Sequence, residues 1–360
     1  MNFQILVDAN EFWASLKADI LSAQDQVFLQ TLSFEGDRVG QNLAEALLAS
    51  AAKDKKLIVD SYTKYKISDQ FLYSPPNLLN SELQQEARST WEIVKRLNHN
   101  GVEVRFINPV GLFFSKFAER NHKKMILIDR RIIYIGGINF SEHNFAWHDM
   151  MLRVEDPRIA EFLTADFLAS WQGEHKQEYQ NFGNLELYLF NGKDNAQLFP
   201  KVFDLIESAR ESIIIETPYL SFPFYDRLRT ARKNGVKISF ITSAVNNWAV
   251  YDHYTRWETE RSGIDLYLYP DRMTHLKSML IDDQYLIIGS SNFDLFSYHF
   301  QQDIIAICRD RAIIQEFKRL IFQPDLQKSS RWTGKISDWQ GKWGYFQLKA
   351  ACQLFLWVNR

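Results

Sequence analysis

Two histidines and two lysines stand in matching surroundings in this sequence. The segment HKKMILIDRRIIYIGGINF (122–140) returns as HLKSMLIDDQYLIIGSSNF (275–293), 153 residues further on. Each copy holds His-x-Lys-x4-Asp, then a glycine-containing pair and an asparagine. The first set is His122, Lys124, Asp129, Gly136, Gly137 and Asn139, and the second is His275, Lys277, Asp282, Gly289, Ser290 and Asn292. On an extended strand residues i and i+2 project to one face, so the histidine and lysine of each copy point together. Gathered into one pocket, two imidazoles and two ammonium groups suit a phosphodiester. The lysines, with Asn139, Asn292 and Ser290 as further donors, would hold the non-bridging oxygens, where charge builds as phosphorus becomes five-coordinate. One imidazole can attack phosphorus while the other protonates the leaving oxygen, through a phosphohistidine. This scheme calls for no metal and no cofactor, and the spacing does not say which histidine attacks.

The elements that must position these residues are repeated too. DQVFLQTLSF and KLIVDSY before the first motif correspond to ESIIIETPYL and GVKISFITS before the second. Apolar residues at three- and four-residue spacing predict helices over 12–22, 41–52, 82–97, 196–210 and 225–233. Short β-rich runs, GVEVRFI, KMILID and IIYIG among them, alternate with these helices, which is an α/β pattern. The expected organisation is an N-terminal half at 1–174, a C-terminal half at 184–325, and a tail at 328–360. The polar stretch 172–184 reads as the linker. Asp129 and Asp282 sit at strand ends before turns and read as structural, with Gly136, Gly137 and Gly289.

Composition narrows the classes. The chain has 360 residues, 46% hydrophobic and 24% charged, as soluble globular proteins do, so disordered and coiled-coil readings drop away. Forty-two basic against 44 acidic residues leave a net charge of −2, which argues against a phosphate-tracking groove, and no nucleic-acid partner is expected. Cys308 and Cys352 have no ligand spacing, and His143, His148 and His299 read as satisfied or solvated rather than zinc-binding. The N-terminus shows no secretory signal and no apolar run is long enough to span a bilayer, so a cytoplasmic location is expected. The tail interleaves six Lys or Arg with Trp332, Trp339, Trp343, Phe355 and Trp357, which suits an anionic lipid surface at the inner face of the cell membrane. Phe113, Phe114 and Phe117, with segment 66–82, could form an apolar rim above the pocket.

The duplicated motif resembles that of the phospholipase D superfamily over about residues 1–325. RNHKKMILID, IGGINFSEH, WHDMMLRVEDP and ETPYL are most similar to its bacterial cardiolipin synthase branch. The resemblance implies two pseudo-twofold-related α/β halves, each a mixed central sheet flanked by helices, with the site where they meet. It implies a ping-pong reaction with His122 as nucleophile and His275 as general acid and then base. Asp149 and Asp303 match the acidic residues that orient the histidines. The function implied is a phosphatidyltransferase acting on phospholipid, with a phospholipase D hydrolase as the alternative and an endonuclease as a more distant one. Two departures stand out: Gly137 faces Ser290 across the repeat, and NFDLFS places Phe296 where the family carries arginine.

Overall fold

The strand that follows each motif histidine is buried on both faces, and its apolar run places it inside a sheet rather than at an edge. A computed structural model describes residues 2–358 and divides into two units, Met1–Lys176 and Gln177–Arg360. In the first unit, β1 (Asn2–Val7), β2 (Gln26–Thr31), β3 (Asp54–Asp60), β4 (Glu103–Ile107), β5 (Met125–Ile128), β6 (Ile132–Gly136) and β7 (Met150–Glu155) form one sheet. Its order is β1-β7-β6-β5-β2-β3-β4. Strands β2, β3 and β4 run parallel, and the other pairings are antiparallel. Helix Arg38–Ala49 links β2 to β3, and helix Ser81–His99 lies between β3 and β4, as parallel neighbours require a crossover. Asp37 starts the first of these helices by accepting the N–H groups of Val39 and Gly40, and Val39, Leu43 and Leu47 bury one face. Helix Pro157–Gln172 begins at the Asp156 cap and ends at Gly173, whose φ of 86° suits a residue without Cβ.

The second unit contains β8 (Glu178–Asn181), β9 (Leu185–Leu189), β10 (Ser212–Glu216), β11 (Lys237–Ser243), β12 (Asp265–Tyr269), β13 (Ser278–Ile281), β14 (Tyr285–Gly289), β15 (Ile304–Cys308) and β16 (Ser330–Arg331). Their order is β8-β9-β15-β14-β13-β10-β11-β12-β16. From β9 to β12 this repeats the first sheet strand for strand and direction for direction, with β8 and β16 added at the edges. Residues 178–181, inside the stretch read as linker, are therefore an edge strand. Their side chains are largely exposed, and backbone pairing to β9 needs no apolar pattern. The tail is ordered as well: Asp338–Val358 is a helix packed on helix Ala249–Ser262. Gly341 lies against the Trp257 ring, where a Cβ would collide, and the Trp257 indole donates to Asp338 at 2.7 Å. Among the described residues, no helix is long and apolar enough to cross a membrane.

The motif aspartates close both sheets. Asp129 and Arg130, with φ of 49° and 54°, turn β5 into β6, and Asp282 and Asp283, both at 52°, turn β13 into β14. Asp129 also accepts the backbone N–H groups of Gln24, Asp25 and Gln26 at the start of β2. Asp282 takes those of Arg210, Glu211 and Ser212 at the start of β10. Burial pushes the Asp129 carboxyl up, but the three N–H donors outweigh it and hold the group below the usual carboxylate range. Asp129→Ala and Asp282→Ala should each cost about 2 kcal/mol, the scale of charge-assisted hydrogen bonds. In calorimetry that is a melting shift of about 4–8 °C for units of this size. For Asp129 the difference from the unaltered protein should be full at neutral pH and shrink as pH falls below about 4, where the carboxylate protonates.

Candidate active site

His122 and Lys124 lie on the short approach to β5, and His275 and Lys277 on the approach to β13; all four are buried. In each half the lysine curls back onto the histidine two residues before it. Lys124 Nζ donates to the His122 carbonyl at 2.8 Å, while Lys277 donates to the His275 carbonyl and lies 2.8 Å from His275 Nδ1. The residue between them faces away. Lys123 is buried in an ion pair with Asp166 at 2.7 Å, whereas the second half has the buried Leu276 at that position.

The approach segments are held by residues that motif reasoning missed. In the first half the backbone N–H of Asn121 donates to Asp60, at the end of β3, at 2.6 Å, and Gln30 of β2 donates to the Asn121 side chain at 2.8 Å. In the second half the N–H of Thr274 donates to the Ser243 hydroxyl, at the end of β11, at 2.8 Å. The Thr274 hydroxyl in turn donates to Glu216 of β10 at 2.6 Å. The same two strands thus brace the residue before each histidine. Arg120 adds an ion pair to Asp60 at 2.7 Å, and burial pushes Asp60 up to about 6 against the pull of that guanidinium. The one signal in the sequence was an acid or hydroxyl closing an apolar run, at the carboxyl end of a parallel strand where sites gather.

The downstream residues split between the halves. Asp149 and Asp303 stand just before β7 and β15, both buried. Gly137 lies so close to Asp149 that any Cβ would strike the carboxylate. Ser290, at the matching place, donates its hydroxyl to Asp303 at 2.7 Å and accepts the N–H of Ile304 at 3.0 Å. In this structure the Ser290 O–H is thus directed to Asp303. Asn139 accepts from the Thr31 hydroxyl at 3.2 Å and gives one of its two amide hydrogens to Asn144 at 2.8 Å. Asn292 is buried at the equivalent position. Gly136 and Gly289 end their strands where a Cβ would meet the carbonyls of Met150 and Ile304. Phe296 packs against Trp248, Phe300 and Phe355 of the tail helix.

The other histidines have partners of their own. His148 Nδ1 is 2.7 Å from Asp8, and His299 packs between the rings of Tyr298 and Phe300, where burial lowers its pKa. His143 faces Glu35 at 3.5 Å and Asp69 at 4.0 Å. Burial pulls it down, yet Glu35 and its neighbours outweigh that and hold it above the usual value. Glu35, Asp37 and Glu86 bring ligand oxygens within 4.8 Å of one another. Burial, with the charges of Glu35 and Asp37, pushes Glu86 up to about 7, and Asp37 is already committed to its helix cap.

Two α/β units of one topology, each presenting His-x-Lys-x4-Asp on the same strand approach, define an enzyme of the phospholipase D superfamily. The chain belongs to the family described as cardiolipin synthase, PLD-like domain, which matches residues 16–171 and 202–323. It is similar to cardiolipin synthase 1 of Staphylococcus epidermidis, with 24% identity over 364 residues covering 93% of this chain and 69% of that protein. It is also similar to cardiolipin synthase B of Escherichia coli K12, with 25% identity over 349 residues covering 88% and 78%. Among solved structures, phosphatidylserine synthase of Haemophilus influenzae shares the fold, with a TM-score of 0.73 and 14% identity over 98% of this chain and 94% of that one.

Two mutational outcomes follow from this geometry. Lys123→Leu alone should destabilise by about 3–5 kcal/mol in denaturant titration, because it strands a buried Asp166 charge, and adding Asp166→Leu should restore most of the loss. Ser290→Ala, which removes the hydroxyl donated to Asp303, should lower kcat about tenfold with KM little changed; a rise in KM at unchanged kcat would place Ser290 on the phosphate.

Proposed function

We propose that this chain transfers a phosphatidyl group between a phospholipid and an alcohol acceptor, in the manner of a cardiolipin synthase. The observation that carries this reading is the repeated bracket: the same buried His and Lys on the same strand approach, braced by the same two strands in both halves. Family membership over most of the chain supports it.

In this reading His122 attacks phosphorus and a phosphorus–nitrogen bond forms as the bond to the leaving alkoxide breaks. His275 gives its proton to that oxygen. Lys124 and Lys277, with the remaining Asn139 N–H and the Asn292 amide, neutralise the non-bridging oxygens in the five-coordinate state. Asp149 and Asp303 orient the imidazoles and favour their charged forms. In the second half-reaction His275 takes the proton of the incoming alcohol, whose oxygen displaces His122. These steps use only side chains of this chain.

The tail helix supports a peripheral place on an anionic membrane. Its inner face, with Leu348, Cys352 and Phe355, packs on the protein. Its outer face presents Trp339, Trp343, Phe346, Leu354 and Trp357, all exposed, with Trp339 and Trp343 stacked and Lys342 and Lys349 close in sequence. Of the five tail aromatics singled out in the sequence, Trp339, Trp343 and Trp357 face outward. Phe355 turns inward and Trp332 is half-buried under the Arg256 guanidinium.

Mass spectrometry of lipids after incubation with phosphatidylglycerol vesicles, with and without phosphatidylethanolamine and glycerol, in chelator, tests the reading. Cardiolipin is the expected product; phosphatidic acid alone would make the protein a hydrolase, and no lipid product would point to a nucleic-acid substrate. His122→Ala should reduce turnover by about 10³-fold or more, while His275→Ala should accumulate a labelled phosphoenzyme from a substrate with an activated leaving group. Label on His275 in place of His122 would reverse the two roles.

A further inference from the structure

The two sheets match strand for strand, but two of their connections do not. Between β4 and Arg120 the first unit has twelve residues, 108–119; between β12 and Met273 the second has three. Between β3 and helix Ser81–His99 the first unit has twenty residues, 61–80, where the second has five before helix Ala249–Ser262. The two extra segments pack on each other through one aromatic cluster: Phe114 meets Tyr65 at 5.4 Å and Phe71 at 5.7 Å between ring centroids, and Phe117 meets Tyr62 at 5.9 Å.

Beyond that cluster the apolar side chains point to solvent. Phe113 is 91% exposed, Leu79 88% and Leu112 77%, with Tyr73, Leu78 and Phe114 exposed beside them. Gly111, Phe113 and Phe114 all have positive φ, a conformation that disfavours bulky residues and that the rest of the loop must hold in place. Arg120 supplies the hold. Its guanidinium donates to the carbonyls of Asn108 at 2.9 Å and Lys116 at 2.7 Å while paired with Asp60. An apolar tip is thus clamped at both ends by a residue two positions before His122. Segments 70–80 and 108–118 contain no carboxylate, and Lys116 is their only charge. An uncharged tip with a basic flank fits the headgroup and upper acyl region of a phospholipid bilayer.

We propose that residues 70–80 and 108–118 form a bilayer-inserting surface of the first unit, distinct from the tail helix, which penetrates the leaflet from which substrate is drawn. The proposal rests on the phospholipid reading above, and its test separates the two. Because Cys308 and Cys352 are buried, Phe113→Cys can be labelled selectively with an environment-sensitive fluorophore. On vesicles of phosphatidylglycerol and phosphatidylethanolamine the label should shift to the blue and be quenched by brominated lipid, in the active protein and equally in a His122→Ala background. Leu112→Ser with Phe113→Ser should weaken vesicle binding about tenfold or more, as loss of two inserted apolar side chains predicts, while leaving turnover of a short-chain soluble phospholipid unchanged. A label that stays in water on vesicle-bound protein would overturn the proposal, as would absence of vesicle binding. So would a blue shift that appears without lipid as protein concentration rises, which would mark contact with a second copy. Loss of turnover on the soluble lipid would instead place the loop in the pocket. Failure of the transferase reading shows separately, as absence of lipid product from protein whose label inserts.

Discussion

One backbone hydrogen bond recurs at the root of each half-site: the N–H of the residue before the motif histidine is captured by a side chain at the end of a parallel strand. In the first half Asn121 gives it to Asp60, and in the second Thr274 gives it to Ser243. Everything nearer the chemistry depends on that capture. It fixes where the approach segment leaves the sheet edge, and so where the histidine and the lysine two residues later emerge. The side chain of the same residue is held from the neighbouring strand by Gln30 or Glu216, so the segment is fixed from two directions. The motif aspartate then secures the far end of the following strand by collecting three N–H groups. A loop with polar backbone groups can be buried only if each finds such a partner.

The duplication kept this framework and let its chemistry diverge. The first half braces with a charged pair, Asp60 and Arg120, and buries a second pair, Lys123 and Asp166, behind the site. The second half braces with hydroxyls and buries Leu276. At the downstream acid, one half leaves room by using Gly137 and the other supplies the Ser290 hydroxyl. Asp303 therefore receives a side-chain hydroxyl that Gly137 cannot offer to Asp149.

Additions lie outside the repeated strands. The first unit carries its extra chain in two connections that share an aromatic cluster, with Arg120 tying the loop base to the bracket before His122. The second unit carries it as the tail helix, which Gly341 lets approach Trp257 closely and which Phe355 seats beside Phe296. Phe296 thus serves to dock the tail helix.

The sequence alone was enough for the duplicated motif, the α/β class and the main helices near the first motif. Those features are local: residue types at fixed spacing and apolar periods of two or 3.6 residues report backbone geometry directly. The bracing residues were not legible, because Asp60 and Asn121, or Ser243 and Thr274, are far apart in the chain and meet only when parallel strands pair. Nor was the partner of the Ser290 hydroxyl, since a hydroxyl in a glycine-rich turn serves a ligand or a neighbouring acid equally well until the neighbour is placed. Edge strand β8 has no apolar alternation to read, because backbone pairing alone defines it. In the tail, composition announced an aromatic and basic segment, but helix phase and contact with Ala249–Ser262 decided that Phe355 turns inward while Trp339, Trp343 and Trp357 face out. Residue chemistry and short-range pattern are written along the chain, whereas which polar group satisfies which, and which face of a helix is covered, is settled only when distant segments pack.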